Sequence, residues 1–266
     1  MKKLVSISFA LILIVSIFSA CSNGESKETK GNKKVLVMGT SADYKPYEYV
    51  EASKSDEIIG FDVDVAKYIG KELGYEVKVK DMDFGGLLAS LSSGKVDFVM
   101  AGMTPTAERK NNVDFTDIYF VAKNMVVSKK DSNIKSVEDL KGKKVGVQTG
   151  SIQEEKAAEF KKQVDFQVEG RDRIPEIVQE IKAGRFDAAI IEDTVAKNYL
   201  EKMKDLQGIE IKEAPEEVGA AIALPKNSDK TAEFNKVIKK MQENGEMDKL
   251  VKKWFGSGNK LPFTFL

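Results

Sequence analysis

The sequence predicts an α/β protein in which strands and helices alternate and the chain divides into two similar lobes. Two observations carry this. Apolar residues switch repeatedly between a two-residue and a 3.6-residue period along the chain. Two distant segments, LLASLSSGKVDFVMAG and EIVQEIKAGRFDAAIIE, also share a helical stretch, a Gly, a basic residue, an apolar residue, an Asp and a buried strand. Either each lobe holds one copy of the same unit, or the likeness is what every helix–Gly–strand unit has in common.

The chain opens on a targeting segment. Lys2 and Lys3 precede the apolar run LVSISFALILIVSIF, followed by Ser19, Ala20 and Cys21. A charged start, a short apolar stretch and small residues make a secretory signal, and the run falls short of a ~20-residue membrane span. Small residues ending at a lone Cys, with polar SNGESKETKGNKK behind it, resemble a bacterial lipoprotein signal. Phe18 stands where that motif usually has Leu. The resemblance implies that residues 1–21 are the signal, that Cys21 becomes the lipidated first residue, and that residues 22–34 form a flexible tether. Loss of residues 1–21 removes two lysines and no acids, which leaves 40 basic against 42 acidic side chains and a net charge of −2.

Beyond the tether, KVLVMGT reads as a strand. Residues 62–73 read as a helix, with Val63, Val65, Ala66, Ile69 and Leu73 on one face and Gly74 as its stop. YEVKVKDM alternates as a strand, FGGLLASLSSG is helical, and VDFVMAG is a buried strand. The second half repeats the theme: the strand KKVGVQTG, a helix from Ser151, a helix over 173–183, the strand FDAAII and a helix over 193–203. Such alternation predicts mostly parallel sheets.

Composition narrows the function. The chain carries 42 basic and 42 acidic residues over 266 positions, so no net field draws it to nucleic acid. It has no histidine and one cysteine, which excludes His-based triads, His/Cys zinc sites and disulfides within the chain. No GxGxxG or GxxxxGK[ST] pattern is present and no cofactor or metal is implied.

Ligands of open α/β sheets bind beyond the strands' carboxyl ends, here Ala101–Gly102 and Ile191–Glu192. The first of these ends opens AGMTPTAER. Thr104 reads as an N-cap, Pro105 suits the first helical position, and Gly102 lets a ligand approach the backbone. Free N–H groups at a helix start and the Arg109 guanidinium both favour an anion, and Arg pairs a planar carboxylate with two parallel hydrogen bonds. Spacing alone equally allows a capped helix with Arg109 on its solvated face. In VGVQTGSIQEE, Ser151 and Glu154 form a capping box that offers a second helix N-terminus. Glu192 is opposite in sign and could meet an ammonium group. An anion site and a cation site facing each other describe a receptor for a zwitterion, and an amino acid is the expected ligand.

The segments GTSADYKPYEY, IIGFDVDVAKYIGKELG, AGMTPTAERKNNVDFTDIYF, VGVQTGSIQE, RFDAAIIEDTVA and ENGEMDKLVKKWFG together resemble the polar amino-acid-binding proteins of ABC importers, from about Lys34 to Gly256. The likeness is strongest to lipoprotein arginine receptors of Gram-positive bacteria. It implies a periplasmic-binding-protein type 2 fold: two lobes joined by two hinge crossings, with the ligand cleft between them. The first lobe would span 35–120, the second 121–217, and residues 218–266 would return to the first. The crossings would lie near DIYFVAKN and EAPEEVG, and Trp254 would be packing.

Carried over by position, the resemblance places aromatic walls at Tyr44 and Phe84. The Gly102 carbonyl would accept from the ligand ammonium, Thr104 would contact either end group, and Arg109 would pair with the α-carboxylate. Ser151 and the Ile152 N–H would meet that carboxylate, with Ile152 standing where some relatives have Thr. Glu192 would bind the ammonium, with Asp193 as the alternative. Glu48 and Asp83 are acids close to the two aromatics, and Ser41 stands where some basic-amino-acid receptors have Asp. The implied partners are a free L-amino acid, arginine favoured, an ABC permease and ATPase, and the membrane through Cys21. The competing classes are an enzyme of dehydratase or cell-wall hydrolase type and a signalling receptor. No catalytic residue is expected.

Overall fold

The computed structural model describes residues 34–212 and 219–256. The signal segment, Cys21, nearly all of the tether, and most of the EAPEEVG crossing lie outside the described residues.

The described residues begin in β1 (Lys34–Thr40), then make a small antiparallel sheet from β2 (Asp43–Tyr44), β3 (Glu48–Val50) and β4 (Ile58–Ile59). Helix α1 (Phe61–Leu73) follows because Phe61, Val65, Ile69 and their neighbours form one apolar stripe. That stripe is buried and Gly74 ends the helix as expected. Next come β5 (Tyr75–Asp81), a short 3₁₀ turn at Phe84–Gly86, α2 (Leu87–Ser92), β6 (Phe98–Val99), α3 (Ala107–Asn112) and β7 (Val113–Phe115).

After β8 (Phe120–Val121) the second sheet is built from β9 (Asn124–Lys129), β10 (Lys144–Gln148), α4 (Ile152–Lys161), β11 (Gln167–Arg171), α5 (Ile174–Lys182), β12 (Ala188–Glu192), α6 (Asp193–Lys202) and β13 (Leu206–Glu210). The chain then passes through β14 (Gly219–Ala220) and β15 (Ala223–Pro225) to α7 (Lys230–Glu243) and α8 (Glu246–Phe255).

Two five-stranded sheets result, ordered β5-β1-β6-β15-β7 and β11-β10-β12-β9-β13. The expectation of mostly parallel sheets holds only for three adjacent strands in each. β15 runs antiparallel to β6 and β7, and β9 runs antiparallel to β12 and β13. A crossing strand arrives from the other half of the chain, and its direction is set by where it enters rather than by a helical connection. Between the sheets, β8 pairs antiparallel with β14, so two passages of chain lie side by side.

The repeated sequence unit is also a repeated structure. Gly94 and Gly184 take matching left-handed conformations, φ 70° and 73°, where a side chain would be strained. Asp97 accepts from the Val37 N–H at 2.7 Å, and Asp187 accepts from the Lys144 N–H at 2.8 Å. Each aspartate, one residue ahead of its strand, thereby ties that strand to the neighbouring parallel one, β6 to β1 and β12 to β10, one position before the first paired residues. Shared ligation by the same residue type at the same register is more than a generic turn explains.

Helices α7 and α8 pack on α1. Trp254 lies there, donating to Asp64 at 2.8 Å and meeting Tyr49 edge to face.

Candidate functional site

The carboxyl ends of β6 and β12 open onto one cavity. The first sheet's side supplies Tyr44, Phe84, Ala101, Gly102, Thr104 and Arg109, and the second supplies Gln148, Ser151, Ile152, Gln153 and Glu192. All eight residues singled out from the sequence therefore line a single space. Ala101 was read only as part of a strand end, and Gln148 and Gln153 were missed, because an amide carries no charge or motif that marks it. Gln148 closes β10, which was its available signal, whereas Gln153 lies in the first turn of α4.

The AGMTPTAER corner differs from its expected form. Thr106, not Thr104, caps α3, its hydroxyl accepting from the Arg109 N–H at 3.3 Å. Thr104 and Pro105 precede the helix in irregular chain, with the Thr106 N–H donating to the Thr104 carbonyl at 3.0 Å. The six-residue α3 thus starts too late to aim its free N–H groups from Thr104, and Arg109 is the cationic group of this corner. Its guanidinium is buried, not solvated, and donates through Nη1 to the Thr104 carbonyl at 2.8 Å and through Nη2 to the Gly150 carbonyl at 2.9 Å. The second bond joins the two sides of the cavity. Burial pulls the Arg109 pKa down from its ordinary value, but a guanidinium keeps its charge in any protein setting. It lies 5.5 Å from the centre of the Phe84 ring, within range for a cation–π contact. Two of its five donors are occupied, so the rest of the planar fork can serve a ligand.

Across the cavity Ser151 caps α4, accepting from the Glu154 N–H at 3.2 Å. The expected capping box is shifted by one residue: Glu154 reaches the Gly150 N–H at 2.7 Å rather than that of Ser151. Ser151 instead donates its hydroxyl to the Gln148 carbonyl at 2.7 Å. The α4 N-terminus still faces the cavity through Ser151 and Ile152.

Glu192 and Asp193 separate cleanly. Asp193 turns away, accepting from the Lys123 N–H at 3.1 Å and pairing with Lys197. Glu192 lines the cavity, 4% exposed, and accepts from the Thr194 hydroxyl. Burial pushes its pKa up to about 8, against the lowering effect of that hydroxyl. Tyr44 stacks on Tyr47, with ring centres 5.6 Å apart, and closes over Gly102. Gly102 has φ 55°, and a Cβ there would come within 3.0 Å of the Tyr44 ring, so this corner needs Gly twice over.

Neither acid considered for a cationic side chain lines the cavity. Glu48 is buried beneath it, and Asp83 pairs with Arg173 at 2.8 Å. Arg173, just before α5, reaches over to Asp81 at 2.8 Å as well, and the Ile174 N–H donates to Asp43 at 2.6 Å. Ser41 donates to Asp43 at 2.8 Å. The lips themselves are glycines: a Cβ at Gly150 would meet the Gly85 Cα at 3.0 Å.

Residues 36–257 match the bacterial extracellular solute-binding proteins, family 3. The chain belongs to this family. It is 54% identical over 256 residues to the arginine-binding extracellular protein ArtP of Bacillus subtilis, covering 96% of this chain and 98% of that one. Among solved structures, the substrate-binding protein of an amino acid ABC transporter is 44% identical, with a TM-score of 0.76 and coverage of 84% and 100%. The Streptococcus pneumoniae protein AbpA, an amino acid ABC transporter substrate-binding protein solved with L-arginine, is 35% identical, with a TM-score of 0.77 and coverage of 84% and 95%. The two-lobed fold of this family is therefore the fold of the chain, with the cavity between its lobes.

Proposed function

We propose that the protein is an extracytoplasmic receptor that captures a free L-amino acid, arginine favoured, and delivers it to an ABC importer. One observation carries this: a buried cation, Arg109, and a buried acid, Glu192, share one small cavity from opposite lobes. A zwitterion answers both charges at once. In this reading the α-carboxylate meets Arg109, the Ser151 hydroxyl and the Ile152 N–H. The α-ammonium meets Glu192, the Gly102 carbonyl and Thr104, and the side chain runs between Tyr44 and Phe84.

The naming of ArtP for arginine and the L-arginine bound to AbpA support that ligand. The lobes would divide as 35–120 with 218–266, and 121–217, and lipid on Cys21 would hold the receptor at the outer face of the membrane. Mass spectrometry of the chain made in a Gram-positive host tests the anchor: cleavage before Cys21, with loss of residues 1–20 and a diacylglycerol-sized gain on Cys21, is the expected product.

Competition calorimetry tests the ligand. L-arginine is expected to bind at least about tenfold more tightly than L-glutamine, a difference of about 1.4 kcal/mol. Glutamine winning, or neither binding while cystine does, would remove the arginine assignment and keep the receptor class. Bound arginine recovered unchanged is the outcome expected of a receptor and not of an enzyme.

A further inference from the structure

Beneath the cavity lies a carboxylate that nothing above uses. Glu48 opens β3 with 0% exposure, and neither of its carboxyl oxygens has a hydrogen-bond donor. An ionised carboxylate so placed would be a buried charge without compensation, which proteins avoid by neutralising the group. The charged groups that bear most on it are all acidic: Asp62 from α1, Asp43 from β2 and Glu192 from β12. The Tyr44 and Tyr119 hydroxyls also lie within its field.

Asp62 is its immediate partner, within hydrogen-bonding reach. Two carboxyl groups can share such a bond only when one holds a proton. Their surroundings decide which one. Burial raises the Asp62 pKa to about 6, but Asp62 already accepts from the Tyr119 hydroxyl at 2.8 Å and from the Gly102 N–H at 2.9 Å, both of which favour its ionised form. Glu48 has no such donor, and burial beside Asp62 raises its pKa well above the ordinary range.

We propose that Glu48 and Asp62 form one proton-sharing pair, Glu48 the acid and Asp62 the ionised acceptor, which positions the Gly102 peptide of the ligand cavity. With the Glu48 O–H added, Asp62 collects three donors, and the third comes from a group that cannot turn elsewhere. The Gly102 N–H is then fixed toward Asp62, which holds the corner beneath Tyr44 in its left-handed conformation. Both are positioning residues and neither touches the ligand. The positioning role rests on the amino-acid reading of the cavity; the shared proton does not.

Infrared difference spectroscopy tests the proton directly. Wild type minus Glu48→Gln is expected to show the C=O stretch of a protonated carboxylic acid, and the band should persist above about pH 8, where Glu192 loses its own. Absence of the band overturns the pair. Calorimetry with L-arginine tests the positioning. Gln keeps an N–H donor for Asp62, so Glu48→Gln should bind within about threefold of wild type, whereas Glu48→Leu should lose about tenfold or more. A residue that only fills space would give the reverse order or no difference, and either result overturns the positioning role. Should Glu48→Leu not fold, a Glu48→Gln protein that loses tenfold would do the same. If wild type itself does not bind arginine, the ligand assignment fails, and the infrared band still decides the pair.

Discussion

Ligand binding should release a proton from Glu192. In the ligand-free protein its carboxyl titrates at about 8, raised chiefly by burial. An ammonium group brought against it favours the charged form, and should return it toward the ordinary value of ~4.3. Below about pH 8 the carboxyl must therefore give up its proton before the ion pair forms. The sign follows: the bound state holds fewer protons, so affinity rises with pH and levels off above about 8. Each unit below that point costs about 1.36 kcal/mol, a factor of ten. Between about pH 8, where half the sites are already ionised, and pH 6, affinity should fall by about fiftyfold, or about 2.3 kcal/mol. Calorimetry in two buffers of different ionisation enthalpy reads the protons directly. Nearly one should be released per ligand near pH 6.5, and about half of one at pH 8. Glu192→Gln should bind more weakly and show no slope. An affinity in wild type that is flat from about pH 6 to pH 8, with no proton released, would mean that Glu192 is not the ammonium partner.

Other outcomes follow from the same geometry. Arg109→Ala should weaken L-arginine binding well over tenfold, since stripping one partner from a desolvated pair costs about 2–5 kcal/mol; wild-type affinity in a folded variant, by calorimetry, would refute this. Arg173 joins the lobes without any ligand, through Asp81 and Asp83. Small-angle scattering of ligand-free Arg173→Gln should therefore show a larger radius of gyration than wild type, and added ligand should shrink it; equal radii would argue against a latch. Glu48, Glu192 and Asp43 all have pKa values raised mainly by burial. An acid raised in the folded state binds more protons there than when unfolded, so stability falls as pH climbs from the unfolded value. The ligand-free melting temperature should then decline from about pH 5 to pH 8, less steeply in Glu192→Gln, and a rising curve would contradict the buried-acid account.

Much of the site could be read in the sequence, because charge and glycine leave marks there. Glu192 was visible as a charge at a strand end and Arg109 as a charge in the helix opened by the other, and the Gly–basic–apolar–Asp echo proved to be one hydrogen-bonding device used twice. What could not be read depends on burial and on which of two similar neighbours wins. Thr104 and Thr106 are both good caps, and only the path of the chain decides that Thr106 takes the Arg109 N–H. Gln148 and Gln153 look like surface amides, yet both are buried, and Gln153 donates to Asn124 at 2.7 Å. The direction of β9 and β15 depends on pairings made from far along the chain, which local periodicity does not encode.

The meeting of Gly85 and Gly150 has a mechanical meaning. Where jaws close main chain against main chain, the thickness of whatever stands between them sets the resting aperture. Gly85 is the cleaner place for a wedge: a Cβ there would sit at ordinary contact, 3.4 Å from the Thr149 carbonyl oxygen. Ala at that position leaves the mouth shut, while Val and then Leu act as doorstops of increasing width. Such a series would hold one receptor at graded degrees of opening without touching a charge in its pocket. The speed at which it lets go of its cargo could then be read as a function of gap width alone.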